Sequence, residues 1–138
     1  MGKNFRFAKA IALFFLMGLV VFIGCAGEQK EARLEITDRE FVLRQDSDHS
    51  FVVDAKGTIK NVGEVDVKNL VVTGYCRSCG EMLINGKWFI SDYEKTPTQK
   101  DIISYLVAGD EEDFQFQDVA FMVDQSGERA ERLPEEME

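Results

Sequence analysis

Apolar and polar residues alternate along the middle of the chain. Between Phe51 and Lys60 the odd positions are apolar or glycine, whereas most even positions are polar. A period of two is typical of a β-strand that is buried on one face. Residues 61–64 follow with Asn and Gly, which tolerate a positive φ and favour tight turns. We therefore predict a strand over 51–60 and a hairpin turn after it.

Similar apolar runs on both sides predict further strands. They are 34–36, 41–43, 65–75 with a change of face near Lys68 and Asn69, 82–90 with a break at Asn85 and Gly86, 102–107, and 114–123 with a slip at Asp118. After this slip the alternation resumes with Val119, Phe121 and Val123 on one face. A bulge or bend would produce such a change of face. Residues 100–106 could instead form a short helical turn. About six or seven short antiparallel strands predict an all-β sandwich.

Three segments of this region share a pattern of turn and core residues. They are 57–63, which reads G-T-I-K-N-V-G, then 66–72, and a late run over 109–116. The pattern resembles the signature of small bacterial immunoglobulin-like domains of the FxLYD-like group. The resemblance implies an immunoglobulin-like antiparallel β-sandwich of about seven strands over residues 33–123. Such domains are similar to non-enzymatic modules on exported proteins.

The first 25 residues have the pattern of an export signal. Lys3, Arg6 and Lys9 precede an uncharged apolar run over 11–24, which is short for a membrane-spanning helix. The end of this run, F-I-G-C, resembles the lipobox of bacterial lipoproteins. The resemblance implies cleavage after Gly24, a thioether-linked lipid on Cys25 and N-acylation of the new terminus. An uncleaved helical anchor and a plain secretory signal are the alternatives.

The two resemblances together divide the chain. Residues 1–24 would be the cleavable signal helix, 25–32 a lipidated tether, and 33–123 the β-domain. Residues 124–138 hold almost no large apolar side chain, so we predict a disordered acidic tail. The family's sorting rule, applied to Ala26, favours the outer membrane. We therefore expect a lipid-anchored protein of the cell envelope that faces the periplasm.

The charge of the chain narrows the choice of partners. It carries 16 basic and 25 acidic residues, a formal net charge of −9. Removal of the signal takes away three basic residues and no acidic one, so the charge falls to −12. A strongly acidic surface repels phosphate, which argues against a nucleic acid partner. The membrane, through the lipid anchor, and a protein of the cell envelope are the partners that we expect.

Cys76 and Cys79 are separated by two residues and lie between apolar runs. An oxidising compartment and the even count that is left once Cys25 carries lipid favour a disulfide that pins a turn. Covalent haem would need a histidine where the chain has Gly80. A thiol–disulfide centre would need a helix at the cysteines, and a zinc site would need two more ligands although His49 is the sole histidine. The thiol–disulfide centre and the zinc site are the alternatives to a structural disulfide.

The remaining candidate functional residues do not indicate a catalytic site. His49 stands in an Asp/Ser-rich loop, and residues 110–113 form an acidic run that reads as a solvated turn, with calcium as its alternative. If Trp88 points inward, Phe89 points outward and, beside Tyr75 or Tyr93, forms an exposed aromatic patch that would contact a partner. The sequence thus predicts a non-enzymatic interaction module without a cofactor. The alternative is a ligand- or metal-binding accessory lipoprotein that uses the Cys76/Cys79 turn or the acidic loop.

Overall fold

The structure, a computed structural model, describes residues 30–90, 94–127, 130 and 132–138. Two antiparallel sheets make up this part of the chain. The strands are β1 (Leu34–Ser47), β2 (Ser50–Asn61), β3 (Val67–Thr73), β4 (Trp88–Phe89), β5 (Lys100–Leu106) and β6 (Glu111–Val123), with a 3₁₀ helix at Pro97–Gln99. The first sheet has the order β1-β2-β6-β4, and the second consists of β3 and β5. The predicted antiparallel all-β organisation is confirmed.

One cluster of buried side chains joins the two sheets. The four-stranded sheet contributes Ala55, Ile59, Phe114, Phe116 and Val119, and the two-stranded sheet contributes Val72, Ile103 and Leu106. The alternation predicted for β2 is visible in Val53, Ala55 and Ile59, which are all buried. Val52 is buried as well, because Arg44 and Phe121 flank it on the neighbouring strands. The start of β2 is therefore covered on both faces.

Two glycines allow the close packing of this core. A Cβ atom on Gly57 would overlap the ring of Phe114 and the carbonyl oxygen of Asp38. A Cβ on Gly74 would meet Val119 at 2.8 Å and Phe116 at 3.0 Å. Both positions bring backbone against a large side chain, which is a common reason for glycine within or beside a strand.

At both points where the sequence predicts that the buried face of a strand changes, a residue has a positive φ. Asn69 has φ 52°, and Val67 and Leu70 on either side of it are both half-buried. Asp118 has φ 61° and lies where β6 carries extra residues relative to β2, between the pairs Val53–Ala120 and Ala55–Phe116. From Ala120 onward, beyond this bulge, the buried residues are not the ones that the alternation predicts. Ala120 and Met122 are buried, whereas Phe121 faces outward.

The hairpin predicted at residues 61–64 is wrong. β2 pairs with β1 and β6, and β3 pairs with β5 in the other sheet. The turn is instead a corner between sheets, since the N–H groups of Val62 and Gly63 donate to the carbonyl of Arg33 and that of Glu64 donates to Glu31. The local turn residues were recognised, but they do not determine which strand pairs with the next one.

Three other boundaries differ from the sequence prediction. The pieces 34–36 and 41–43 are parts of the single strand β1, whose register shifts between Ile36 and Asp38. Of the predicted strand 82–90, only Trp88 and Phe89 pair as β4. Residues 100–106 are strand β5, so the helical alternative there is wrong.

Several predicted features lie outside the described residues. They are the signal peptide, Cys25 with most of its tether, and Tyr93. Within the part of the chain that the structure describes, no helix is long and apolar enough to cross a membrane.

Candidate interaction site

A disulfide closes the turn that follows β3. It joins Cys76 to Cys79, whose Cα atoms are 5.4 Å apart, in agreement with the predicted bridge. Cys76 is 1 % exposed and packs against Val53, Ile90 and Ala120 of a second buried cluster. Among the described residues no helix begins at either cysteine, so the arrangement lacks the helix N-terminus of a thiol–disulfide centre. The bridge therefore acts as a covalent support beneath the adjoining surface.

The turn is also held from the side of β4. The N–H of Gly80 donates to the carbonyl of Trp88 at 3.0 Å, and the N–H of Ile90 donates to Gly80 at 2.9 Å. These bonds extend the four-stranded sheet by one isolated bridge beyond β4. The bridged turn is thus fixed to the sheet on one side.

The last residues of the chain cover the other side of the turn. Residues 134–138, here called the C-terminal strap, run antiparallel to residues 75–78, and Met137 opposes Cys76. Tyr75 and Glu138 exchange two backbone hydrogen bonds of 2.6 and 2.8 Å, and the N–H of Arg77 donates to Glu136. Arg77 also forms an ion pair with the Glu138 side chain. The strap differs from the disordered tail that composition predicted, because backbone pairing and not apolar burial holds most of it.

Three consecutive aliphatic side chains project beside this turn. Met82, Leu83 and Ile84 are 70 %, 61 % and 45 % exposed, and they are here called the apolar tip. Their segment is held at its C-terminal end, since the N–H of Gly86 donates to Val123 at 2.8 Å and that of Lys87 donates to the carbonyl of Ile84 at 3.0 Å. The apolar tip is therefore an exposed surface that is anchored to the sheet at one end.

A groove lies between the apolar tip and the strap. It has a volume of about 460 Å³, and its apolar lining includes Met82, Ile84, Trp88, Leu133 and Pro134. Pro134 is buried and Trp88 half-buried, so the base of the groove is part of the fold. This apolar groove and the apolar tip together form one continuous surface.

The sequence predicted a different set of contact residues. Tyr75 is 46 % exposed, as a contact residue requires. Phe89 does lie on the face opposite to Trp88, but it is half-buried and its ring centre is 5.7 Å from that of Phe121. Tyr93 lies outside the described residues. The apolar tip was missed because residues 82–84 were assigned to a strand that breaks at Asn85 and Gly86; the Asn-Gly pair marks the turn but does not indicate that the residues before it are exposed.

The acidic and basic side chains form structural contacts. Arg44 donates to Asp54 at 2.7 Å, to Asp118 at 3.0 Å and to Asp46 at 3.1 Å. Hydrogen bonding to Asp54 raises the pKa of Arg44, whereas burial raises the pKa of the Asp118 carboxyl. Asp54 also accepts from the N–H of Asp118. The network therefore ties β1, β2 and β6 together at the bulge.

The metal alternatives find no support in this geometry. The acidic run is divided between a turn and β6, where Asp113 accepts from the hydroxyl of Thr58 at 2.8 Å. Nowhere in the described residues do three His, Cys, Asp or Glu side chains come together so as to hold a metal ion. His49 is exposed in the turn between β1 and β2, as expected for a loop residue.

The chain was also compared with known proteins. No protein-family model, curated protein or solved structure matches it.

Proposed function

We propose that this chain is a lipid-anchored protein of the cell envelope, tethered through Cys25, whose immunoglobulin-like β-sandwich binds an exported protein through the apolar tip and groove. The observation that carries the proposal is the exposure of Met82, Leu83 and Ile84 in a segment that is anchored to the sheet through Gly86. Exposed apolar surface of this kind marks contact sites in soluble domains. The Cys76–Cys79 bridge and the strap support the surface and take no part in chemistry.

The energetics of the apolar tip favour binding over folding. Full burial of one such aliphatic side chain contributes about 1.5–3 kcal/mol, so three of them can supply much of a moderate affinity. The hydrogen bonds of Gly86 and Lys87 anchor one end of the apolar tip, which lowers the conformational entropy lost on association. The same side chains contribute little to the fold while they are exposed.

The position of the apolar tip favours a protein over the anchoring bilayer. Gly86 bonds to Val123 at one end of the four-stranded sheet, whereas Leu34, where the tether enters, lies at the other end opposite Asn61. The 14 residues of β1 span about 45 Å. A tether over 25–33 reaches at most about 30 Å. An upright domain would therefore present the apolar tip away from the membrane that holds the lipid.

A second candidate function is favoured by the size of the groove. About 460 Å³ lies within the range of small-molecule pockets, so the protein could be an accessory lipoprotein that binds an apolar ligand there. The metal-binding form of this alternative would need free thiolates at Cys76 and Cys79, and both are engaged in the bridge.

The test uses the full chain in its native membranes, with a photo-crosslinking residue in place of Leu83. We expect one defined protein adduct that disappears when Met82→Ser and Ile84→Ser are introduced together. The matched control is Val71→Ser, because Val71 on β3 is 52 % exposed but lies outside the apolar groove. The control should leave the adduct intact.

Other outcomes separate the candidates. Adducts to lipid alone would contradict the proposed protein partner. The absence of any protein adduct, together with saturable binding of a small apolar probe such as a fluorescent naphthalene sulfonate that is lost in the Met82→Ser and Ile84→Ser variant, would favour the ligand-binding alternative. Mass spectrometry of the purified protein tests the anchor separately, since an unmodified Cys25 in an uncleaved chain contradicts lipidation.

A further inference from the structure

The outer edge of β1 is long and unpaired. β1 extends over 14 residues and pairs with β2 on one side, and no strand among the described residues pairs with its other side. An edge strand presents a row of backbone N–H and C=O groups that can pair with another strand. Val42 on this strand is 38 % exposed. The edge is therefore a surface for strand addition, independent of the apolar tip.

The regular part of this edge has defined limits. The register between β1 and β2 shifts between Ile36 and Asp38 and again between Gln45 and Ser47. Residues 38–45 between these shifts pair with β2 without interruption. Bulges re-aim a strand and terminate pairing, so the edge that is free for another strand is this eight-residue segment.

We propose that residues 38–45 of β1 pair antiparallel with the same residues of a second copy, with Val42 facing Val42 across a two-fold axis. The pairing joins the two four-stranded sheets into one continuous sheet. It is isologous and closes at two copies, because the four-stranded sheet of the described residues has one long edge, β1, and its other edge strand, β4, has only two residues.

Symmetry and charge select the register. A two-fold axis perpendicular to a continuous sheet places one residue of β1 opposite itself, and like charges that face each other repel. This excludes the four charged residues of the segment as centres, namely Asp38, Arg39, Glu40 and Arg44. An axis at Gln45 would leave only a short overlap inside the regular segment. Phe41, Val42 and Leu43 remain as centres.

Only the axis at Val42 matches both charge and hydrophobicity. It sets Glu40 opposite Arg44, and Phe41 opposite Leu43. An axis at Phe41 would set Asp38 opposite Arg44, but it would place Glu40 opposite Val42 and Arg39 opposite Leu43, so charged residues would face apolar ones. An axis at Leu43 would set Glu40 opposite Asp46. The centre at Val42 therefore gives two opposite-charge pairs around an apolar contact.

The side chains are available for these contacts. Arg44 donates one hydrogen bond from Nε, one from Nη1 and two from Nη2, which leaves one Nη1 proton for Glu40 of the second copy. Glu40 is exposed and holds Lys56 at 2.8 Å. Asp38 would approach Asp46, but Asp46 lies beyond the regular segment and accepts from Arg44.

The first test uses cysteine variants of the full chain in membranes. In Val42→Cys the two Cβ atoms would lie about 4.5–5.5 Å apart, close to disulfide distance. We expect a covalent dimer after mild oxidation on a non-reducing gel. The matched control is Glu40→Cys, whose two copies would be about 13 Å apart in this register. Its dimer yield should be at least tenfold lower.

The second test uses charge at the axis. Val42→Lys and Val42→Glu should each be monomeric, and an equimolar mixture should form the mixed dimer, as measured by energy transfer between labelled full-length chains. Equal cross-linking from positions 40 and 42, a Val42→Cys adduct to a different protein, or dimers of Val42→Lys as strong as those of the unmodified chain would each overturn the proposal.

Discussion

The two ends of the four-stranded sheet are closed in different ways. At the polar end, where β2 finishes, the fully buried Asn61 side chain donates to the carbonyls of Val65 at 2.8 Å and Leu106 at 3.3 Å and accepts from Gly63. Asp66 nearby accepts from Tyr105 and from Ala108. At the disulfide end, a covalent bridge and the C-terminal strap do the closing.

The difference affects what each end can expose. Closure by hydrogen bonds needs particular side chains at fixed positions, since a buried polar group without its partner is costly. Closure by a bridge and by backbone pairing leaves the neighbouring side chains free. The disulfide end carries the apolar tip, whose side chains are 45–70 % exposed, whereas the apolar side chains of Leu34, Val65 and Val107 at the polar end are only 38–40 % exposed.

The largest expected loss of stability comes from a substitution at the polar end. Asn61→Ala removes three side-chain hydrogen bonds from a fully buried position, and we expect the free energy of unfolding to fall by about 3 kcal/mol. Urea denaturation measures the change. Asn85→Ala is the control, because Asn85 at the disulfide end is exposed and accepts one bond, from Gln125. A loss no larger than that of the control would refute the importance of Asn61.

A smaller effect is expected from opening the disulfide. The combined change Cys76→Ala and Cys79→Ala releases a very short loop, so unfolding should become easier by only about 2 kcal/mol. Hydrogen exchange should accelerate at the amides of Tyr75, Arg77 and Glu138, which pair across the strap. Amides of β3 and β5 serve as the internal reference. Unchanged exchange in the strap would mean that the bridge does not position it.

The smallest expected effect is the loss of the stabilising contribution of Asp66 at low pH. Hydrogen bonds from Tyr105 and Ala108 lower the pKa of Asp66. Such a carboxylate stabilises the fold above the unfolded-state pKa of about 4, and this contribution disappears as the pH falls through the lower pKa of the folded state. The Ala108 amide signal should therefore shift in NMR spectra only below about pH 4.

A tyrosine variant sharpens the acid prediction. Tyr105→Phe removes the hydrogen bond that lowers the pKa of Asp66 most, so the midpoint of the Ala108 shift should move to higher pH. Asp124, whose pKa is lowered by Ser126 at the disulfide end, should titrate as before and is the control. An unchanged midpoint in the variant would contradict the role of Tyr105.

Local patterns predicted the strands better than their arrangement. The two-residue alternation of β2 and β6, and the irregularities at Asn69 and Asp118, could be predicted because they are determined by residues that are close in the sequence. The corner at residues 61–64 depends on contacts with Arg33, about thirty positions earlier in the chain, and no local pattern contains that information.

The candidate site was predictable only in part. The bridge follows from the cysteine count and the compartment, whereas the strap depends on backbone bonds between Tyr75 and Glu138. Composition gave no sign of those bonds, because few apolar residues accompany them. Tyr75 is exposed, as the predicted aromatic patch requires, whereas the apolar tip was assigned to the end of a strand before the break at Asn85 and Gly86.

The central place of β6 has a consequence for how the polypeptide acquires its shape. β6 comes last among the strands in sequence yet lies between β2 and β4. The β1–β2 hairpin can form locally, but the four-stranded sheet cannot form until β6 is present, and β6 pairs with residues of β2 that lie more than fifty positions earlier in the chain. Topologies dominated by such distant pairings fold in milliseconds to seconds. Until β6 arrives, the hairpin exposes two unpaired margins, so this interval is when the newly made chain is most vulnerable to aggregation.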